Sequence, residues 1–572
     1  MKEVRWLGLL PLMFVLLLVG AGPGEPEDPL LEAAQQGNLE AVRTLIEEGT
    51  DVNAALGDGM TSLHWAAQVG NEALVDLLLL AGADVESETR LGAFRPIHLA
   101  SSFGHAEVLA KLLDAGADPN VPNANGSLPL HFAAATGNAQ AVAVLLDRGA
   151  DVNRVEAAWK QTPLMWAAAR GHAEVVRLLV TRGADATRTT RIEDLPERDI
   201  EDQYALAERV ERLRAEGQDL AAVEYPTDRR DGDEEDVERP LTHHELIGKK
   251  GGLTAFHFAA REGHHEVVRA LVEEGNDINI RASADNATPL LVATINGHFD
   301  LAAEMLRMGA DPNLAADNGN TPLYSAIVRQ WAHQSGYPHP RHHQFQDITY
   351  LEMMELLLEA GADPNSRLER KLWLEEFNFE RLGTFVDSGG ATAFWRAAQA
   401  LDVAAMKLLV RHGADPHIPS KRPAERRRGY GAVSDGEDPS GLEPVSVGGP
   451  GVYPIHVAAG AGYGQGFASF VHRHVPGAWM ATMRYLVDEL EADVNARDYR
   501  GYNAVHHAAS RGDVDMIEFL VERGADVSAV ARTGQTTVDM ANGPVQRVQP
   551  YPQAIRLLEG LGAKNNNNCV SC

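Results

Sequence analysis

Gln161-Thr162-Pro163-Leu164-Met165-Trp166-Ala167-Ala168-Ala169-Arg170-Gly171-His172-Ala173-Glu174-Val175-Val176-Arg177-Leu178-Leu179-Val180-Thr181-Arg182-Gly183-Ala184-Asp185 reads as two short helices and a turn. Thr162 suits a helix cap, and Pro163 suits the first helical position, where a missing N–H costs nothing. Small paired alanines let a neighbouring helix approach closely. Gly171 stops the first helix, because glycine tolerates the left-handed conformation at that end. Val175, Val176, Leu178 and Leu179 then form one apolar stripe at helical spacing, which Gly183 ends. The following turn is rich in Asp and Asn, whose side chains bond nearby backbone.

The pattern returns along the whole chain, most often at a step of 33 or 34 residues. It recurs as Thr61-Ser62-Leu63-His64-Trp65-Ala66-Ala67, Arg95-Pro96-Ile97-His98-Leu99-Ala100 and Leu128-Pro129-Leu130-His131-Phe132-Ala133-Ala134. Second helices end in Gly116-Ala117-Asp118-Pro119-Asn120, Gly149-Ala150-Asp151-Val152-Asn153, Gly309-Ala310-Asp311-Pro312-Asn313 and Gly361-Ala362-Asp363-Pro364-Asn365. A fixed period of this size marks a stacked-repeat solenoid, in which each unit packs on its neighbours.

On these residues the chain resembles the ankyrin repeat family, whose signature is Thr-Pro-Leu-His-x-Ala. The resemblance implies an all-α solenoid of about twelve helix-turn-helix units joined by β-turns or hairpins. The signature His position falls at Leu31, His64, His98, His131, Met165, His257, Leu291, Tyr324, Trp395, His456, His506 and Asp539. The first and last units depart from the pattern, as caps on an apolar stack do. In this family that His is a structural hydrogen-bonder, and successive copies about 10 Å apart cannot share one metal ion. The resemblance also implies protein binding on a concave face, through turn tips and the two residues after Ala-Ala. Here those are Asp58, Trp159, Asp317, Arg497 and Tyr499 at tips, with Gln68, Val69, Ala169, Arg170, Arg261, Glu262 and Arg511 beside the helices.

Four steps are too long, at 92, 71, 61 and 50 residues, which predicts four insertions. The resulting organisation is residues 22–186 for repeats 1–5 and 187–250 for a charged insertion with a helix over Gln203 to Ala222. Repeats 6–9 occupy 251–416 with a His-rich insertion at 329–350, a loop occupies 417–451, and repeats 10–12 occupy 452–563. The charged insertion holds Asp231, Asp233 and Glu235 but lacks the glycine and distal glutamate of a calcium loop. The His-rich one offers His339, His342 and His343 as metal candidates, without a nearby cysteine. The glycines Gly462, Gly464 and Gly466 follow a predicted helix, not a strand, so they do not make a dinucleotide loop. His244-Glu245 lacks the second His of a zinc helix.

The ends are of a different kind. Lys2 and Arg5 precede an apolar run, Leu7 to Val19, and small residues follow up to Ala21. This is the layout of a secretory signal peptide over residues 1–21, and the run is short of the roughly 20 residues a membrane span needs. The expected location is secreted or periplasmic. Residues 564–572 form a polar tail ending in Cys569-Val570-Ser571-Cys572, and these two are the only cysteines. A Cys-x-x-Cys pair allows a disulfide, a redox function or the start of a haem motif. A net charge of −30 argues against nucleic-acid binding. No Walker loop, nucleophile elbow or zinc helix is present, so the expectation is a non-enzymatic, cofactor-free, monomeric scaffold for a protein partner. Redox work by the cysteine tail and metal binding by the His-rich insertion are the alternatives.

Overall fold

The computed structural model describes residues 28–215, 241–332, 341–372, 386–424, 438–462, 473–543 and 549–568. The chain forms two compact units, Met1–Asp185 and Ala186–Cys572. The first holds repeats 1–5, each a pair of antiparallel helices: Pro29–Gln35 with Leu39–Glu47, Ser62–Val69 with Glu72–Leu80, and Pro96–Phe103 with Ala106–Asp114. Pro129–Thr136 with Ala139–Asp147 and Pro163–Ala169 with Ala173–Thr181 complete it.

The second unit holds repeats 6–12. Its first pairs are Ala255–Glu262 with His265–Glu273, Pro289–Asn296 with Phe299–Arg307, and Pro322–Trp331 with Tyr350–Glu359. Ala393–Gln399 pairs with Val403–Arg411, and Pro454–Ala459 with Trp479–Arg484, which runs on as a π-helical turn Tyr485–Glu489. Ala504–Ser510 with Val514–Glu522 and Thr537–Asn542 with Pro552–Gly560 end the array. Within each unit, first helices pack on first helices of the next repeat, and the paired alanines such as Ala133, Ala134, Ala508 and Ala509 are wholly buried there.

Three hydrogen-bond systems lock the repeats, and each traces to one sequence position. The signature His is the first. In His64, His98, His131, His257 and His456, Nδ1 accepts the backbone N–H three residues back, at 3.0–3.3 Å. Nε2–H donates to a carbonyl of the following hairpin, Phe94, Val121, Gln161, Ala287 or Ala496, at 2.9–3.0 Å. Trp395 takes over the donor half of this role with its indole N–H, which donates to the Val452 carbonyl at 2.7 Å. In the last repeat, Asp539 takes over and accepts from Thr536, Asn566 and Asn568 backbone N–H groups.

The turn Asn is the second. Its Asp neighbour bonds its own turn, as Asp51 does to Asn53 N–H at 2.9 Å. The Asn side chain, expected to do likewise, reaches the next repeat instead. Asn153 donates to the Gly183 carbonyl at 2.9 Å and accepts Asp185 N–H at 2.8 Å. Asn120, Asn279, Asn313, Asn365 and Asn495 repeat the pair of bonds.

The third system joins successive hairpin tips through backbone bonds. In the first unit, Arg90 N–H meets the Asp58 carbonyl, Ala124 the Gly92 carbonyl, and Ala157 the Asn125 carbonyl. In the second, Asp317 meets Asp285, Tyr499 meets Gly451, and Arg532 meets Arg500.

The described parts of the insertions form regular contacts with the array. The first is closed at its base by an antiparallel ribbon of β1 (Ile192–Asp194) and β2 (Lys249–Gly251), with Glu193 opposite Lys250. Its helix is Leu195–Ala215, starting eight residues before the expected Gln203, because Pro196 sits at the first turn. The candidate calcium residues Asp231, Asp233 and Glu235 lie outside the described residues. The surplus between Tyr324 and Trp395 is split between two places, 332–349 inside repeat 8 and the hairpin after Asn365. The expected boundaries 329–350 therefore shrink, since Arg329 is helical and Thr349 caps the next helix.

Candidate protein-binding surface

In the first unit, the last turns of the first helices and the hairpin tips present exposed apolar side chains. Val69 is 48% exposed and Phe103 39%, at matching positions of repeats 2 and 3, with exposed Arg170 at that position of repeat 5. At the tips, Leu91 is 76% and Trp159 44% exposed. The backbone beneath them is rigid: Phe103 stacks on His105 (5° between planes), whose Nε2–H donates to the Gln68 carbonyl at 3.0 Å. The Trp159 tip is held by Glu156, whose carboxylate accepts the Ala158, Trp159 and Gln161 N–H groups. Rigid aromatic anchors on a preordered frame suit recognition, since little side-chain entropy is lost on contact.

The remaining residues expected from sequence fall into two groups. Glu262 and Asp317 are exposed. Arg261 lies over the Phe258 ring at 4.8 Å and pairs with Glu262 at 2.8 Å, and Asp317 accepts from Asn286 at 2.7 Å. Asp58, Gln68 and Ala169 are half-buried, and Asp58 accepts Met60 N–H to shape its turn.

Arg497, Tyr499 and Arg511 serve the fold. Arg497 donates to the Gly501 carbonyl at 2.6 Å and to Val530, and burial lowers its pKa. Arg511 lies 3.3 Å from the Trp479 ring centre and bonds Ala459 O and Asp513. Tyr499 is half-buried: its N–H bonds the Gly451 carbonyl, and its carbonyl accepts from Arg532, which also holds residues 438–443 against this end of the array.

Sequence reasoning missed Phe103 and Leu91. Repeat 3 has Ala100-Ser101 in place of Ala-Ala, so a search for the residues after Ala-Ala passes over Phe103. Counting five residues on from His98, as from His64 to Val69, finds it.

The metal and redox candidates stand differently. His342 stacks on His298 at 4.6 Å in a 3-10 turn, His342–Phe345, which Asp300 fastens by accepting Asp347 and Ile348 N–H. His343 packs near Phe299, and burial with nearby arginines pushes its imidazole down to about 4. Both side chains thus help seat the insertion on repeat 7. Among the described residues no group of three His, Cys, Asp or Glu is placed to hold a metal. His339, Cys569 and Cys572 lie outside the described residues. The polar tail is docked as far as Asn568, whose side chain donates to the Thr533 carbonyl at 2.9 Å. Glu245 caps its own helix by accepting Thr242 N–H at 2.7 Å. No helix of the described residues is long and apolar enough to cross a membrane.

Comparison with known proteins agrees with this geometry. A family profile described as ankyrin repeats (3 copies) matches residues 5–89, 97–190, 230–316 and 256–368. A second, ankyrin repeats (many copies), matches 486–541. The structure adds two helix pairs in the interval between 368 and 486. The chain is similar to palmitoyltransferase Hip14 of Drosophila melanogaster, 34% identical over 116 residues, which is 19% of this chain and 18% of that protein. It is similar to human ankyrin repeat and SOCS box protein 2, 34% over 98 residues (17% and 15%). With the nuclear factor NF-kappa-B p105 subunit of Gallus gallus it shares 43% over 88 residues (15% and 9%). The chain thus spans less than a fifth of the length of each of these three relatives. With one profile matched over more than half of its length, the chain belongs to the ankyrin-repeat family.

Proposed function

We propose that the chain is a non-catalytic scaffold that binds a protein partner through the first unit, in a secreted or periplasmic setting. The carrying observation is the exposed set Val69, Leu91, Phe103 and Trp159 on a backbone locked by His and tip hydrogen bonds. In a chain of net charge −30, such a set is poorly explained by solubility and well explained by contact with another apolar surface. The palmitoyltransferase relative shares about three repeats' length with this chain. That likeness supports docking through repeats and carries no transferase chemistry across. The setting rests on the layout of residues 1–21.

Cross-linked co-purification of the full chain from its native cells, against a Phe103→Ala/Trp159→Ala variant, tests the reading. A stoichiometric partner held by the wild type and lost by the variant supports it. A partner retained equally by both removes this surface from consideration. Mass spectrometry of the mature N-terminus, expected after Ala21, tests the location; an intact Met1 in a cytosolic fraction overturns it.

A further inference from the structure

In the second unit the hairpin tips are covered by the chain itself. Residues 438–443, in the insertion after repeat 9, run along the hairpin tips of repeats 11 and 12, forming neither helix nor strand themselves. Residues 445–449 are tied to Arg422, which donates to the Val445 and Gly449 carbonyls and accepts Gly448 N–H, whereas residues 438–443 are held by Arg532. Arg532 Nη1 donates to the Asp438 carboxylate at 2.5 Å and to the Leu442 carbonyl at 3.2 Å. Its Nη2 donates to the Glu443 carbonyl at 2.5 Å, while Nε anchors the guanidinium to the Tyr499 carbonyl at 3.0 Å.

The segment is shaped by its own turn, in which Asp438 accepts Ser440 N–H and Ser440 accepts Leu442 N–H. The floor is open because glycines line it. A Cβ on Gly501 would stand 3.3 Å from the Leu442 side chain, and one on Gly534 3.5 Å from Pro439. Asp438, Pro439, Gly441, Glu443 and Pro444 remain exposed, so little apolar area holds the segment down.

We propose that this trough is a receptor for a partner protein's acidic peptide segment that opens with a turn, and that residues 438–443 occupy it as a displaceable internal ligand. What Arg532 reads is one carboxylate and two backbone carbonyls in a short run that opens with a turn. A partner segment with an Asp or Glu at the matching place offers the same groups. A guanidinium, with several N–H donors in a fixed plane, is suited to meeting one carboxylate and two carbonyls at once, and the nearby Arg497 and Arg500 add positive potential in an otherwise acidic chain. The tethered segment has the advantage of a high effective concentration, on the order of millimolar for a short linker, so a free peptide competes at a disadvantage until the segment lifts. The proposal concerns the second unit and stands independently of the surface assigned to the first.

The test uses a fluorescein-labelled synthetic peptide with the sequence of residues 438–447, titrated by anisotropy with the full-length protein. The Asp438→Lys variant places like charge against Arg532 and should lift the internal segment. It is expected to bind the peptide about tenfold or more tightly than the wild type. Adding Arg532→Ala to that variant should abolish binding, and Arg532→Lys, which keeps charge without the planar donors, should weaken it several-fold and serves if the alanine variant does not fold. A peptide with Asn at its first position should bind more weakly than the Asp form. Equal affinity of wild type and Asp438→Lys, or retained affinity without Arg532, overturns the proposal; equal affinity of the Asn and Asp peptides overturns the acidic requirement.

Discussion

His131 shows what one residue contributes to this fold. Its ring accepts Leu128 N–H and donates to the Gln161 carbonyl, so it holds a helix start and the next hairpin at once. Burial pushes its imidazole down to about 4, as it does for His98, His257 and His456. Replacing His131 by Ala should cost about 2–4 kcal/mol, since two buried partners lose their bonds and a void opens. Urea unfolding of the variant checks this. Gly137 is equally constrained: its φ is +79°, and an added Cβ would come within 2.4 Å of the His172 ring. Gly137→Ala should lower stability by about 1–2 kcal/mol, read as a fall in Tm. The same left-handed turn is filled by Leu401 in repeat 9, at φ +55°, where complete burial of the side chain offsets the strain.

At the scale of the element, a helix pair is stable because it is stapled to its neighbours. Asn153 makes two bonds to the following turn, and its replacement by Ala should cost about 1 kcal/mol, because the site is exposed. A chemical-denaturation series with Asn120→Ala beside it should give similar losses. The exposed pairs on the second helices, such as Arg182 with Asp147 at 2.7 Å, should matter less than about 1 kcal/mol each. The surface set of the first unit is expected to behave in the opposite sense. Phe103→Ala and Trp159→Ala should leave Tm nearly unchanged while weakening partner capture, because exposed side chains contribute little to folding and much to binding.

For the whole molecule, the buried imidazoles set a pH dependence. In the folded chain His98, His131, His257 and His456 titrate near 4 and His506 near 3, against about 6.5 when unfolded. Above 6.5 both states are neutral and the full stability is present. Between about 6.5 and 4 the unfolded chain takes up protons that the folded chain refuses, so stability falls as pH falls. Each such ring steepens the fall by up to roughly 1.4 kcal/mol per pH unit. Denaturation midpoints at about pH 7.5, 6 and 5 should drop progressively, and His131→Gln should flatten that dependence by about one proton. An unchanged slope would show that the ring is not buried neutral.

Much of the fold was legible because the repeat restates itself. Period, helix stops, paired alanines and the capping His all act within one unit or between adjacent ones, so local spacing carries them. The sequence by itself therefore determined the family, the repeat register, even where Trp395 and Asp539 replace the His, and the structural role of the imidazoles. Tertiary structure alone decided which polar and apolar side chains stay free. Arg497, Tyr499 and Trp159 all lie at tips by counting, yet the segment 438–443, far earlier in the chain, covers the tips that bear Arg497 and Tyr499, while Trp159 stays open to solvent. It also decided that the turn Asn reaches across to the next repeat and that the polar tail folds back as far as Asn568. Those outcomes depend on where distant stretches of chain are brought together, and no local period encodes that.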